Sequence, residues 1–146
     1  MMNTEDPQIL EPVQAGDGEA AGKPWSYRLM LFLRTMAGVS LCKGLYHWAV
    51  ICGIGAPLPS GFDSYSTPYQ VATVFFAIID LVAGVGLWLA APWGAVVWLT
   101  SVISMAAVEL LFPQIYGGNM WVVVMDVLLL GIYLGLSLMA ARQQPG

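Results

Sequence analysis

The sequence predicts an all-α integral membrane protein: a four-helix bundle, N-in/C-in, with a disordered acidic N-terminal tail. Three observations carry this reading. The chain is 58% hydrophobic and only 10% charged, with a mean hydropathy of +0.73, whereas an ordinary soluble domain carries about 25% charged residues. A globule of 146 residues has too much surface to be covered by so few charges. The apolar residues fall into runs near the roughly 20 residues that span a hydrocarbon core. Trp and Tyr gather near the ends of those runs, at Trp25, Tyr27, Trp48, Tyr69, Trp88, Trp93, Tyr116 and Trp121, as aromatic belts do at membrane–water interfaces.

Residues 1–24 hold Glu5, Asp6, Glu11, Asp17 and Glu19 against Lys23, a charge of −4, which is the formal charge of the whole chain. The remaining residues, 25–146, balance Arg28, Arg34, Lys43 and Arg142 against Asp63, Asp80, Glu109 and Asp126. The tail mixes acids with Pro, Gly, Gln and Ala and reads as a solvated, disordered tether. It gives no support to nucleic-acid binding and should be repelled by anionic lipid. Nor does it begin basic and turn apolar as a secretory signal does.

The transmembrane domain, 25–146, follows with helices expected at about 29–52, 69–91, 93–112 and 120–141. Between the first two, GIGAPLPSGFDSYSTP (53–68) has the Gly, Pro and Ser content of an exposed loop. AAPWG (90–94) is a tight turn with Pro92 at the break, which favours a hairpin over one long helix. FPQIYGGN (112–119) separates the last two runs. Lys23, Arg28 and Arg34 flank the first run and Arg142 follows the last, while the 53–68 and 112–119 loops contain no Lys or Arg. The positive-inside rule then places both termini in the cytoplasm, as an even number of crossings requires.

Within these runs lie Lys43, His47, Asp80, Glu109 and Asp126. Lys43 and His47 are spaced i, i+4 and share one helix face. At about 1.5 Å per residue, Lys43 and Asp80 lie about 14 and about 16 Å from the outer helix ends, and His47 and Asp126 about 8 and about 9 Å. Glu109 lies about 5 Å in. Each central charge costs about 2.5–3.5 kcal/mol if left in lipid, so these groups should face the bundle interior. Lys43 is expected to meet Asp80, and His47 to lie near Asp126. The cluster reads either as a polar lock that fixes helix pairing or as a relay or ligand site. Arg34, near the cytoplasmic end, can snorkel and needs no buried partner.

Small residues mark the expected close approaches: Ser40 and Gly44, Gly84 and Gly86, Thr100 and Ser104, Gly131 and Gly135. Cys42 and Cys52 share one helix, roughly 15 Å apart along its axis, too far to bridge; they read as small buried apolar side chains. No phosphate-binding loop, dinucleotide fingerprint or nucleophile elbow is present. The spacing of His47, Asp80, Glu109 and Asp126 indicates no metal site, one histidine cannot supply a His–His haem site, and no catalytic residue stands out.

FFAIIDLVAGVGLWLAAPWGAVVWL (75–99) resembles the second helix and following turn of DoxX-like membrane proteins, and LRTMAGVSLCKGLYHW (33–48) resembles their first helix. Asp80 stands where those proteins more often have Glu. The apolar body also resembles an uncharacterised family of small four-helix inner-membrane proteins of alphaproteobacteria. These likenesses imply a bacterial inner membrane and the four-helix layout, and the first brings quinone into view as a ligand; the residues themselves indicate no cofactor. The functional expectation is a non-enzymatic accessory or interaction subunit that meets the lipid bilayer and either a membrane-protein partner or further copies of itself. A quinone-linked redox component and a proton-coupled transporter or channel subunit are the alternatives.

The orientation is open to direct test. Cysteines placed at Ser60 and Asn119 should be labelled by a membrane-impermeant reagent from outside intact cells, and one at Ala15 should not. Labelling at Ala15 would overturn the expected topology.

Overall fold

The computed structural model describes residues 24–55 and 61–143, so the tail other than Pro24, together with Ser60, lies outside the described residues. Four helices are long and apolar enough to cross a membrane: α1 (Pro24–Ile51), α2 (Thr67–Trp88), α3 (Pro92–Leu111) and α5 (Met120–Arg142), with a single helical turn, α4 (Pro113–Tyr116), between the last two. The described residues contain no strand.

Proline begins or nearly begins three of the long helices, at Pro24, Pro68 and Pro92, where its missing N–H costs nothing and its fixed φ suits the first turn. That is why α1 starts ahead of the expected 29. Its 28 residues give about 42 Å of helix, longer than a hydrocarbon core of about 30 Å. Gly53, at φ 71°, ends α1: Gly53 N–H donates to Val50 O and Ile54 N–H to Ala49 O, a Schellman closure. The same closure ends α2, where Ala90 N–H donates to Leu87 O and Ala91 N–H to Gly86 O. There the left-handed position is held by Ala90, at φ 52°, so the α2–α3 hairpin turns within three residues.

The 53–68 connection includes a short 3-10 turn at Phe62–Ser64. The Gln70 amide clamps it to α2 by donating to Phe62 O and Tyr65 O, both at 3.1 Å. The 112–119 connection, expected as a loop, contains α4. Gly117, at φ 94°, ends that turn, and Asn119 caps α5 by accepting from Trp121 N–H at 3.2 Å. The helices alternate in direction, and Trp25 N–H donates to Gln143 Oε1 at 3.3 Å, so both described ends of the chain meet at one end of the bundle.

α1 and α2 form the most extensive pair, and α5 is the least covered of the four. A Cβ on Gly44 would lie 2.7 Å from Leu81 Cγ, and one on Gly84 would lie 2.7 Å from Leu41 Cγ; each glycine takes the other helix's leucine. At the hairpin a Cβ on Gly94 would lie 2.2 Å from the Gly86 carbonyl carbon, so α2 and α3 touch backbone to backbone. Ser40 is buried on the same face of α1. Toward the terminal end, Met36, Ala37, Ala83, Leu87, Trp98 and Val102 form the apolar core. Trp98 meets Phe32 and Tyr133 edge to face, at ring centroid distances of 5.9 and 5.6 Å. Arg34 lies exposed over the Trp88 ring, 4.9 Å from its centroid.

Two expectations from the sequence need correction. Gly131 and Gly135 are exposed, and no atom of another helix would come within 4 Å of a Cβ at either. α5 turns Val123, Asp126 and Ala140 inward instead, so the GIYLG spacing makes no helix contact among the described residues. Cys42 and Cys52 are free, as expected, but exposed rather than buried, because Ser40, Gly44 and His47 occupy the inward face of α1.

These contacts separate the glycines by consequence. Gly94→Ala should cost about 1–3 kcal/mol through overpacking, whereas Gly131→Ala in the detergent-solubilised monomer should be neutral or gain up to about 1 kcal/mol of helix propensity. Thermal unfolding in mild detergent measures both. Equal effects would mean that the α2–α3 backbone contact is absent.

Candidate functional site

The buried face of α2 carries Thr73, Phe76, Ala77, Asp80, Ala83, Gly84 and Leu87, a helical stripe with a carboxylate at its centre. Asp80 is 1% exposed. Its Oδ1 accepts from the Ser101 hydroxyl of α3, and its Oδ2 faces Lys43 Nζ of α1 at 3.6 Å. That separation makes an ion pair but exceeds hydrogen-bond length, so Oδ2 has no hydrogen-bond partner among the described residues. One side chain thus ties three helices together. The Lys43 partner is expected from the sequence. Ser101 is not, although Asp80 lies ten residues before Ala90 and Ser101 ten after Ala91. In a tight antiparallel hairpin such equidistant positions face one another, and that is the signal that could have found it.

One turn beyond Lys43, His47 is buried and stacks on Phe76 at 5.9 Å and 29°. Tyr116 of α4 closes the group from above. Its hydroxyl lies 3.2 Å from Thr73 Oγ1, and its ring is 5.3 Å from Tyr69 and 6.3 Å from His47. Burial pushes the Tyr116 hydroxyl above its ordinary range, against a smaller opposing effect of the Thr73 bond. It is therefore a neutral phenol, able to donate or accept. The sequence marks Tyr69 and Tyr116 only as belt aromatics; α4 is what swings Tyr116 inward.

Glu109, 6% exposed, accepts from Asn119 N–H at 2.8 Å and so pins the α3–α5 connection across the bundle end. Asp126 of α5 is 9% exposed, and its buried Oδ2 has no hydrogen-bond partner among the described residues. Among the described residues no hydrogen bond or ion pair joins it to His47, the neighbour expected from depth alone. The two share a cavity instead.

That cavity, of about 590 Å³, is lined by Lys43, Tyr46, His47, Tyr69, Met105, Glu109, Tyr116, Asn119, Trp121, Val122, Met125 and Asp126. It lies in the half of the bundle away from the termini. Four of the five ionisable residues singled out from the sequence line it, and Asp80 stands behind Lys43. Its volume is in the range of small-molecule sites, about 300–1,000 Å³, and its wall mixes aromatic faces with separate polar groups. Among the described residues no three His, Cys, Asp or Glu side chains converge as metal ligands would.

The ion pair has a thermodynamic signature. Lys43→Ala should destabilise the protein more than Lys43→Ala combined with Asp80→Ala, because the single change strands a buried carboxylate. A double-mutant coupling of at least about 1 kcal/mol is expected by thermal unfolding in detergent; one below about 0.5 kcal/mol would mean the groups do not interact.

No curated protein and no solved structure matches the chain. A family model does, over residues 27–144. Because the match covers both the polar cavity and the apolar core beneath it, the chain belongs to a family of unknown function, DUF6163.

Proposed function

We propose that this is a multi-pass protein of a bacterial inner membrane, with both termini cytoplasmic, that binds a small amphipathic molecule in its outer half and serves as an accessory subunit rather than an enzyme. The observation that carries the reading is the cavity. His47, Glu109 and Asp126 converge there from three helices, and only one of the wall's carboxylates is held by a backbone N–H. A lock alone needs Lys43, Asp80 and Ser101; the remaining polar groups surround space. Orientation is supported by Arg28, Arg34 and Arg142, which stand near the end of the bundle where the termini meet. Likeness to DoxX-like proteins supports a quinone as the occupant, whereas the charge in the cavity supports another class of molecule, argued below.

The accessory role has its own support. Among the described residues nothing covers the Gly131–Gly135 face of α5, and small-xxx-small faces let a second membrane helix approach closely. That face is where a partner or a second copy would pack.

Native mass spectrometry of protein purified in mild detergent tests the binding reading. The wild type should carry a small-molecule adduct that Val122→Trp, which fills the cavity, loses while remaining folded. An adduct of equal abundance in both proteins would contradict a site at this position.

A further inference from the structure

The charges around the cavity do not balance. From α1 come Lys43, Tyr46 and the single imidazole of His47; from α2, Asp80 behind Lys43, and Tyr69; from α3, Glu109; from α4, Tyr116; from α5, Asp126. The one ammonium is engaged by Asp80, and Glu109 is held by Asn119 N–H. Asp126 lines the cavity and is left with an oxygen, enclosed just behind that wall, that nothing in the described residues satisfies. An unpaired carboxylate in such surroundings is costly and takes up either a proton or a cation.

The cavity decides which kind of cation. Bare metal ions need several oxygen or nitrogen ligands at about 2.0–2.6 Å, and the described residues bring no such set together. A space of about 590 Å³ walled by Tyr46, Tyr69, Tyr116 and Trp121 suits instead a bulky organic ion. The Tyr69 and Tyr116 rings meet edge to face, 5.3 Å apart at 63°, and Tyr46 and Trp121 complete the aromatic lining. Aromatic faces attract alkylammonium groups through their quadrupoles. An anionic amphiphile would meet two carboxylates, and a neutral one would leave the charge of Asp126 unbalanced.

We propose that the cavity takes an organic cation, a quaternary ammonium or protonated amine bearing an apolar group, with Asp126 as its counter-ion and the surrounding rings as its cage, and that this cation exchanges for a proton on Asp126. As the cation enters, the carboxyl O–H breaks and its proton leaves to the outer water, so one positive charge replaces another. This inference rests on the proposed binding reading and specifies the ligand class for it.

Benzyltrimethylammonium and its uncharged carbon analogue, neopentylbenzene, serve as probes for the full-length protein in nanodiscs, by calorimetry in weak buffer with a pH indicator. The cation should bind, release up to one proton per molecule bound, and bind more tightly as pH rises. Asp126→Asn should weaken it at least tenfold, Asp126→Glu should retain it, and Val122→Trp should abolish it. Proton release by the wild type needs no variant, so a misfolded Asp126→Asn would not remove the test. Cation binding without proton release, or undiminished in a folded Asp126→Asn, overturns the exchange. Binding of neopentylbenzene alone, lost in Val122→Trp, overturns the cation inference but leaves the cavity reading standing. If neither probe binds, or binding survives Val122→Trp, both fall.

Discussion

A carboxylate at the centre of an apolar bundle cannot be left alone, and the placement of Asp80 constrains much of this molecule. Its charge is met by Lys43 from α1 and its other oxygen by Ser101 from α3. Both contacts demand that the helices come very close. Gly44, next to Lys43, packs on Leu81, next to Asp80, while Gly84 receives Leu41 one turn away. Ion pair and glycine contacts are therefore one device: the missing side chains bring the backbones together, and the charges select the register. On the other flank the Gly86–Gly94 contact does the same for Ser101. A buried ion pair is weak evidence for stability, but a shift of either helix by one residue would rotate its charge by about 100° and out of this contact.

This polar layer divides the bundle. On the terminal side the helices close on Trp98 and its neighbours, a core of ordinary apolar packing. On the other side the helices leave a cavity, and the connection between α3 and α5 roofs it. That roof is itself built by polar contacts: Asn119 N–H to Glu109, and the Tyr116 hydroxyl to Thr73. Such an arrangement gives a fixed floor beneath a wall of groups whose hydrogen-bonding capacity is not exhausted. Asp126, on the least covered helix, is the extreme case.

The ionisable residues were legible because a charge in an apolar run is expensive enough to require a reason, and depth alone matched Lys43 to Asp80. The four long helices were legible for the same cause, since apolar length and proline punctuation act locally. What depended on three dimensions was not. Ser101 looks like any small polar residue until the hairpin turn is used as a mirror. Tyr116 looks like an interfacial anchor until α4 turns it inward. Gly131 and Gly135 have the spacing of a helix contact, yet spacing says nothing about which face a helix presents, and α5 presents the face of Asp126. Cys42 and Cys52 are exposed for the same reason. Composition identifies a residue as apolar but, in a membrane, not as inward.

The claim on which the rest depends is the contact of Lys43 with Asp80, and it can be measured as a distance. The chain has only two lysines, Lys23 and Lys43. Solid-state NMR dipolar recoupling between Lys ¹⁵Nζ and Asp ¹³Cγ, on protein labelled at those atoms in lipid, reports any pair in contact. One aspartate carboxyl carbon should dephase as an ion pair of the observed 3.6 Å N–O separation requires, and the effect should vanish in Lys43→Met and in Asp80→Asn. Absence of dephasing in the wild type, or its persistence in either variant, would contradict the account.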